Sequence, residues 1–404
     1  MSTAQEFEVV VAGGGIVGAT LALLLVDEAR IQATRIAVIE PVAPMMPAHD
    51  APFGLRVSAI APGSRARLAR LGVWARLDAA RIASYERMRV WHEGVPPDSP
   101  DVLVFDAAEA GEPDLGCIVE NAALQAALFA ACAERGIRML PSTLQSLRVD
   151  DAGAWLTTES GVLRAQLAIG ADGANSAARR MLEISAEQQD YGQRAIVATV
   201  HSTRPHQRTA WQRFLSTGPL ALLPLPGNTV SIVWSATEAR AAELLALAPA
   251  QFNAALTAAS AGVLGELQLA SERAAFPLRR LSASAYVRPR IALVGDAAHV
   301  IHPLAGQGVN QGIEDALALA AALATRPPRE SIGALAALLR YQRERRAGNA
   351  LVGGLVDGLD RLFTRPPGLM GWVAREGMAL VARSPLARRA LVRQAAAGRS
   401  SPRR

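Results

Sequence analysis

A glycine-rich turn near the start of the chain constrains the fold more than any other feature. The turn, GGGIVG, contains Gly13, Gly15 and Gly18. It follows an apolar, β-branched run at Phe7 to Ala12 and precedes an Ala- and Leu-rich stretch at Ile16 to Ala29, which predicts strand, turn and helix. In a dinucleotide-binding unit of this kind, Gly13 permits the tight turn, Gly15 lets the backbone approach a pyrophosphate, and Gly18 lets helix and strand pack closely.

A second strand-like run, Arg35 to Ile39, ends in Glu40, which lies 22 residues after Gly18. A carboxylate at this point accepts hydrogen bonds from ribose hydroxyls and disfavours a 2′-phosphate. The alternative interpretation is a glycine turn in some other α/β unit. Because strand, helix and terminal acid are all present, we favour the dinucleotide site.

Two further glycine-containing strings follow predicted strands. GADG, at Gly170 to Gly173, ends one β-run, and GDAAHVIHPLAGQGVNQG begins at Gly295 after the apolar run Ile291 to Val294. Asp296 then lies at the end of a strand, where its carboxylate is expected to meet a ribityl chain. A helix cap is the alternative role for Asp296.

The end of the third string predicts a site for a flat ring. Pro303, Gly306 and Gly308 leave space for such a ring. The helix that starts near Val309 and Asn310 directs N–H groups at the negative end of a reduced flavin. The three strings together therefore indicate one flavin site.

The residue composition excludes several chemistries. The chain contains no lysine, which excludes Schiff-base catalysis and phosphate transfer on a P-loop lysine. The six histidines and the two cysteines, Cys117 and Cys132, lack metal-ligand spacing. We therefore expect no metal and predict that both cysteines are small buried apolar residues.

The net charge of +6 is concentrated at the C-terminal end. Seven arginines and no acids lie from Arg383 to Arg404, and the rest of the chain sums to −1. The tail has no aromatic residue, so we expect no nucleic-acid binding. It follows an apolar helical stretch, Leu369 to Val381, and either contacts an anionic membrane surface or is solvated.

The sequence also predicts where the protein is located. No apolar run reaches the roughly 18 residues of a membrane-spanning helix. The N-terminus carries acids and no basic region, unlike a secretory signal. We expect a cytoplasmic protein with peripheral contact at the inner face of the cytoplasmic membrane.

Short alternating runs predict a second domain. Those from Ala195 to Ser235 are broken by Gly, Pro and Asn and indicate an antiparallel sheet. Runs at Met88 to Trp91 and Val102 to Phe105 predict strands of a partner sheet. We also expect Ser64 to cap a helix that ends at Gly72.

The three strings resemble the three signatures of the class A flavoprotein aromatic hydroxylases. Further segments resemble the ubiquinone-biosynthesis hydroxylases within that class: LRVSAIAPGS, GVW, FDAAE, VENAALQAAL, IGADGANSAAR, RFLSTGPLALLPL, SIVWS and FPL. The resemblance spans most of the chain and implies an α/β fold with a Rossmann-like FAD-binding domain, an antiparallel-sheet substrate domain and C-terminal helices. The expected boundaries are 1–75, 115–185 and 283–335 for the FAD-binding domain, 76–114 and 186–282 for the substrate domain, and 336–404 for the C-terminal helical region with its basic tail.

The resemblance also implies which residues bind the cofactor. They are Glu40 for the ribose, Arg56 and Gln125 for FAD, Asp172 and Gly173 for FAD and the incoming nicotinamide nucleotide, Asp296 after Gly295 for the ribityl chain, and Pro303 to Asn310 for the isoalloxazine ring. One departure is Gln311, where close relatives usually have leucine.

The implied activity is hydroxylation of the aromatic ring of a polyprenylated phenol or quinol in ubiquinone biosynthesis, with FAD as cofactor, NAD(P)H as reductant and O₂ as co-substrate. The oxidant is a C4a-hydroperoxide of FAD, and the protein must supply a dry pocket that orients the ring. His302 is the candidate base for the phenol, and structural hydrogen bonding is the alternative for His302 and His299. The strands at Trp211 to Leu225 and Ser231 to Trp234 form either an apolar floor for a prenyl tail or a packed core.

Other functions are weighed against this one. A hydroxylase of another phenolic metabolite has the same motifs, as does a non-catalytic flavin-bearing scaffold with other quinone-biosynthesis proteins as partners. A nicotinamide dehydrogenase leaves the GDAAH segment unexplained. A flavin-dependent halogenase is associated with a catalytic lysine, which this chain lacks.

Overall fold

The computed structural model describes residues 4–300 and 308–364, with side chains as far as Asn349. Within these residues the chain forms nine α-helices, 20 strands and four short 3₁₀ helices. The α-helices are α1 (Ile16–Asp27), α2 (Pro62–Arg70), α3 (Ala107–Ala110), α4 (Asn121–Glu134), α5 (Ala177–Met181), α6 (Glu238–Ala246), α7 (Pro249–Ala259), α8 (Gly308–Ala324) and α9 (Leu335–Thr364). The 3₁₀ helices are Ala33–Arg35, Trp74–Arg76, Ala79–Arg81 and Gly295–Ala297.

The strands form three sheets. In chain order they are β1 (Gln5–Ala12), β2 (Ile36–Ile39), β3 (Val57–Ile60), β4 (Ala83–Tyr85), β5 (Arg87–His92), β6 (Leu103–Asp106), β7 (Gly116–Glu120), β8 (Arg138–Leu140), β9 (Leu144–Asp150), β10 (Gly153–Thr158), β11 (Gly161–Gly170), β12 (Ala186–Ser202), β13 (Thr209–Leu215), β14 (Gly218–Pro224), β15 (Thr229–Thr237), β16 (Leu267–Leu269), β17 (Ala274–Ala283), β18 (Val287–Arg288), β19 (Ile291–Leu293) and β20 (His299–Val300).

The first sheet has eight strands and a parallel centre. Strands β19, β11, β1, β2 and β8 lie side by side in parallel, β18 pairs with β19, and β10 and β9 extend the sheet from β11. Helices α1, α4 and α8 pack against one face of the parallel strands, and β9, β10 and α5 cover the other. Burial on both faces explains why β1 and β2 appear in the sequence as continuous apolar runs.

The second sheet has nine strands in the order β20-β17-β12-β15-β14-β13-β5-β6, with β16 beside β12. Its register places Gln212, Ala221, Val233, Val197 and Ala274 on one face, which we call the inner face. The opposite face packs on α6 and α7 and forms a separate apolar core. The inner face is directed at a third sheet of three strands, β3-β7-β4, with which it shares a small apolar cluster.

Several sequence predictions are corrected here. Ser64 does not cap α2, because Pro62 occupies the first helical position and Ala61 is the cap residue. Proline suits that position, since its fixed φ is helical and it has no N–H to leave unpaired. The strands predicted near Met88 and Val102 are β5 and β6, and because β5 pairs in parallel with β13 they belong to the nine-stranded sheet.

The cysteines lie where the sequence predicted. Cys117 and Cys132 are both buried and unpaired. Burial raises the pKa of the Cys132 thiol to about 12. In the part of the chain that the structure describes, no three His, Cys, Asp or Glu side chains are grouped as metal ligands, and the expectation of no metal stays a prediction. Among the same residues, no helix combines the length and the apolar character needed to cross a membrane.

Candidate functional site

The three glycine-containing strings meet at one edge of the eight-stranded sheet. β1, β11 and β19 are adjacent parallel strands, and their carboxyl ends lead directly into Gly13, Ala171 and Gly295. The Ala171 N–H donates to the Ala12 carbonyl over 2.7 Å, which joins the first two ends. Open parallel sheets bind their ligands at this edge. The topology therefore brings together segments that are far apart in the sequence.

The glycines of the first turn differ in what surrounds them. Gly13 has a φ of +106°, and a Cβ there would collide with the carbonyl of Ala171. A Cβ on Gly18 would collide with the Gly13 carbonyl. At Gly15, by contrast, an added Cβ would find no atom within 4 Å. The turn is thus closed where helix and strand pack and open at the start of α1, where unpaired backbone N–H groups attract anions.

Glu40 and Gln125 both contact the backbone of this turn. Glu40 Oε2 accepts a hydrogen bond from the Gly14 N–H over 2.8 Å. Gln125, on α4, donates from Nε2 to the Gly14 carbonyl over 3.2 Å. These two side chains hold the turn in place, which sequence reasoning did not anticipate.

Asp172 contacts the start of α5. Its Oδ1 accepts from the Ser176 hydroxyl over 2.5 Å, and its Oδ2 accepts from the Ala178 N–H over 2.9 Å. Gly173 follows with a φ of +79°, a conformation that glycine adopts without strain. Both carboxylate oxygens thus have partners within the protein, and the role of Asp172 and Gly173 toward FAD and the nicotinamide nucleotide stays a prediction.

Arg179 connects the second string to the third and was missed at the sequence level. Its guanidinium donates to the Ala174 carbonyl over 2.8 Å and to the Ala297 carbonyl over 2.7 Å. Desolvation lowers the pKa of Arg179, while the neighbouring Asp172 opposes that shift. Arg179 ends the IGADGANSAAR segment of the resemblance, but its role could not be predicted because its two partners are backbone oxygens that only the fold brings close.

Asp296 is the exposed member of an otherwise buried turn. Gly295, with a φ of +57°, and Ala297 are buried on either side of it. The surrounding protein desolvates the carboxylate, which raises the pKa of Asp296. His299 and Arg56 act in the opposite direction, but their effect is smaller. Such a carboxylate is suited to accept hydrogen bonds from hydroxyl groups.

Arg56 lies close enough to Asp296 to lower the pKa of that carboxyl, and it lies next to an aromatic ring. Its guanidinium carbon is 5.9 Å from the centroid of the Phe276 ring. Phe276 is 43% exposed, which is unusual for a large apolar side chain. The FPL segment carried the only sequence signal for this residue.

The start of α8 is tied to the three-stranded sheet. Asn310 donates from Nδ2 to the Ala59 carbonyl over 2.7 Å, and its Oδ1 accepts from the Ala61 N–H over 3.0 Å. The described part of α8 runs from Gly308 and includes Val309 and Asn310 in its first turn. The first N–H groups of a helix have no partner within it.

Three predicted site residues cannot be placed in this geometry. Pro303, Gly306 and the candidate base His302 lie outside the described residues. Their roles remain sequence predictions.

A small apolar cavity adjoins this site, between the inner face of the nine-stranded sheet and the three-stranded sheet. Its volume is about 20 Å³, and it is partly open to solvent. Its walls include Ala59, Tyr85, Ala210, Gln212, Ala221 and Leu223. Gln212 is buried, with 5% of its surface exposed. Ala59 belongs to both regions, because its carbonyl is the acceptor for Asn310.

The residues present fit a dinucleotide with a flat ring. The space at Gly15 suits a pyrophosphate at the helix start, and the carboxylates of Glu40 and Asp296 are suited to accept hydrogen bonds from sugar and ribityl hydroxyls. The apolar cavity lies next to the helix that follows Asp296.

Comparison with known proteins agrees with this fit. Residues 6–352 match the family described as FAD binding domain. The chain is 38% identical over 365 residues to the 3-demethoxyubiquinol 3-hydroxylase of Escherichia coli, covering 89% of this chain and 90% of that protein. It is 33% identical to the mitochondrial ubiquinone biosynthesis monooxygenase COQ6 of Homo sapiens, covering 90% and 86% of the two chains.

The fold is shared with solved structures as well. The structure of P. aeruginosa PqsL in complex with 2-aminobenzoylacetate superposes with a TM-score of 0.74 at 24% identity, covering 94% of this chain and all of that one. That likeness concerns the fold alone, and it confirms the predicted aromatic-hydroxylase architecture. FAD is confirmed as the cofactor by the family match. The chain therefore belongs to the FAD-dependent monooxygenase family that contains the ubiquinone-biosynthesis hydroxylases.

Proposed function

We propose that this protein uses FAD, NAD(P)H and O₂ to hydroxylate the aromatic ring of a polyprenylated phenol or quinol in ubiquinone biosynthesis. The observation that supports it most is the meeting of the glycine turn and the Asp296 turn at one edge of the eight-stranded sheet, with an apolar cavity beside that edge. Relatives at 38% and 33% identity are named for ubiquinol hydroxylation and ubiquinone biosynthesis.

The residues of the cofactor edge bind and orient FAD. When bound, FAD supplies the redox chemistry, taking electrons from NAD(P)H and activating O₂ for transfer to an electron-rich ring. The N–H groups at the start of α1, beside Gly15, bind the pyrophosphate. Glu40 accepts from ribose hydroxyls and Asp296 from ribityl hydroxyls. The N-terminal turn of α8 favours negative charge on the ring system.

The residues of the cavity bind and orient the substrate. Apolar walls such as Ala221 and Leu223 exclude water, which prevents loss of the oxidant without product. Gln212 is the buried polar side chain of this cavity, so its amide is suited to recognise an oxygen substituent of the ring. Apolar area together with one amide fixes which edge of the ring is presented.

The decisive experiment is turnover by the purified FAD-loaded protein with a short-chain prenylphenol. We expect O₂-dependent NAD(P)H oxidation that increases when the phenol is added, and a product carrying one additional oxygen atom by mass spectrometry. Anaerobic incubation is the control. NAD(P)H oxidation that yields only hydrogen peroxide with every prenylated phenol tested would contradict the proposal.

Two alternatives give different outcomes in the same assay. A hydroxylase of another phenolic metabolite would turn over simple phenols with a higher kcat/KM than their prenylated counterparts. A flavin-bearing scaffold would bind FAD and show no substrate-dependent oxidation. Because the cavity is apolar and the relatives are named as hydroxylases and monooxygenases, we favour the prenylated substrate and the catalytic role.

We also infer a peripheral membrane contact and association with other quinone-biosynthesis proteins. A polyprenylated substrate resides in lipid, and the basic segment from Arg383 to Arg404, outside the described residues, carries charge suited to anionic headgroups. Co-sedimentation with anionic vesicles, compared between the full chain and a chain ending before Arg383, tests the membrane contact. Equal binding of both would contradict it.

A further inference from the structure

The turn that presents Asp296 is held from its buried side by α8. The Gly295 N–H donates to Asp315 Oδ2 over 2.9 Å. The same oxygen is 2.5 Å from Nε2 of His299, at the other end of the turn. One carboxylate therefore holds both ends of the segment whose exposed side chain is Asp296.

Asp315 is in turn held by α9. Arg345 donates from Nε to Asp315 Oδ1 over 2.5 Å. Its Nη2 donates to Gln311 Oε1 over 2.9 Å and to Asn349 Oδ1 over 3.0 Å. Gln311, the position where relatives usually have leucine, is thus a direct partner of this arginine.

Two tyrosines connect the same elements. Tyr341, on α9, donates from its hydroxyl to the carbonyl of Leu293, the last residue of β19, over 2.7 Å. The ring of Tyr286 stacks on His299 with centroids 5.7 Å apart. α9 consequently contacts the strand before the turn and, through Asp315, the turn itself.

These charges are fully enclosed. Asp315 is 0% and Arg345 is 4% exposed. Burial by itself would raise the pKa of Asp315, but His299 and Arg345 outweigh it, so the pKa lies below its usual value. Removing one partner of a buried ion pair leaves the other charge uncompensated, so the surrounding backbone has to shift to relieve it.

We propose that Arg345 is a positioning residue for FAD: by fixing Asp315 it sets the turn that presents Asp296, and it makes cofactor retention depend on α9. The inference rests on the proposed contact of Asp296 with FAD. The competing explanation is that the network only stabilises the fold, in which case FAD affinity of the folded protein would not depend on it.

Arg340 supplies a matched control. It lies on the same helix and donates from Nη2 to the Ala322 carbonyl of α8 over 3.0 Å, a comparable link between the helices. No contact of Arg340 with Asp315 or with the turn is found among the described residues. Replacing either arginine removes a helix–helix bond, but only Arg345 reaches the carboxylate.

The experiment measures FAD dissociation constants of the apoprotein by flavin fluorescence, with the Tm of each apoprotein alongside. We expect Arg345→Gln to raise the Kd for FAD by roughly 10- to 100-fold, the range found when outer-shell partners of metal ligands are removed. Arg340→Gln should leave the Kd within about twofold, since distant sites act independently. Arg345→Lys, which keeps the charge, should recover part of the affinity.

A milder variant and a parallel one keep the test decisive. Should Arg345→Gln not fold, Gln311→Leu removes a single partner of Arg345, and a several-fold higher Kd is expected. An unchanged Kd for FAD in every folded Arg345 and Gln311 variant would overturn the inference about Arg345. If Asp296→Asn raises the Kd in the same experiment, the proposed contact of Asp296 with FAD still holds. An unchanged Kd in Asp296→Asn would overturn the placement and the inference together.

Discussion

The cofactor edge of the eight-stranded sheet and the cavity beside the nine-stranded sheet are neighbours in space, but the chain builds them in different ways. At the cofactor edge, three short strings at the ends of three adjacent strands supply backbone groups. Asp172 and Asp296 supply carboxylates from the second and third strings, and Glu40 supplies one from the end of β2. The cavity takes one residue each from β3, β4 and β5, three from β13 and two from β14. Each part of the cofactor edge is a short continuous string, whereas the cavity is built from individual residues that are scattered along the chain.

The difference follows from what each region binds. Phosphate and ribose are recognised by backbone N–H groups and carboxylates, which require glycines at fixed spacing and an acid at a strand end. An aromatic ring is recognised by shape, and shape depends on the register of strands. Gln212 faces the cavity because it is paired with Ala221 in that register.

The largest expected effect is at the glycine turn. A Cβ added at Gly18 collides with the Gly13 carbonyl, so Gly18→Val forces closely packed backbone to shift. We expect loss of FAD binding and a free energy of unfolding lower by about 1–3 kcal/mol or more. Absorbance of the purified protein near 450 nm and chemical denaturation measure the two effects.

Gly15→Ala is the matched variant for this prediction. Its Cβ would have no neighbour within 4 Å, so the apoprotein should keep its stability while FAD affinity falls. FAD binding equal to that of the wild type would show that this space is not the pyrophosphate site.

A substitution in the cavity is expected to have a smaller effect, on kcat/KM and not on FAD binding. Gln212→Leu removes the amide and keeps the volume similar, so kcat/KM for the prenylphenol should fall roughly two- to tenfold, as for loss of one uncharged hydrogen bond. The Kd for FAD should not change. Steady-state kinetics and flavin fluorescence measure these quantities.

Gln268→Leu is the control for Gln212. It changes an exposed glutamine on β16 of the same sheet and should alter neither quantity. If Gln212→Leu instead weakened FAD and left kcat/KM intact, the assignment of the two regions would be reversed.

The smallest expected effect is on thermal stability at low pH. Because the pKa of Asp315 in the folded protein lies below its usual value, its ionised form stabilises the fold at pH above about 4. That contribution is lost as the pH falls through the lower folded value. The Tm should therefore fall more steeply below about pH 4 in the wild type than in Asp315→Asn. Parallel slopes in thermal unfolding would contradict this.

The cofactor edge could be predicted from the sequence because its rules are local. Gly13 and Gly18 lie in the close contacts expected of them. Asp315 and Arg345 could not be predicted, since they lie on different helices and meet only after α8 and α9 pack. Gln212 carried no sequence signal either, because nothing local distinguishes it from other strand glutamines.

Errors in the strands have a similar cause. β12 begins at Ala186, well before the predicted start at Ala195, and β17 was not predicted. In both strands buried and exposed residues alternate irregularly, so periodicity does not mark them. Strand pairing, rather than the local pattern, determines their length.

The hydrogen bonds of Asn310 join the cofactor edge to the cavity. Its amide joins α8 to β3, the strand whose Ala59 lines the cavity. Displacement of that helix in a protein lacking its cofactor would be transmitted to the wall against which the substrate rests. The Asn310 amide therefore couples the position of α8 to the wall of the cavity.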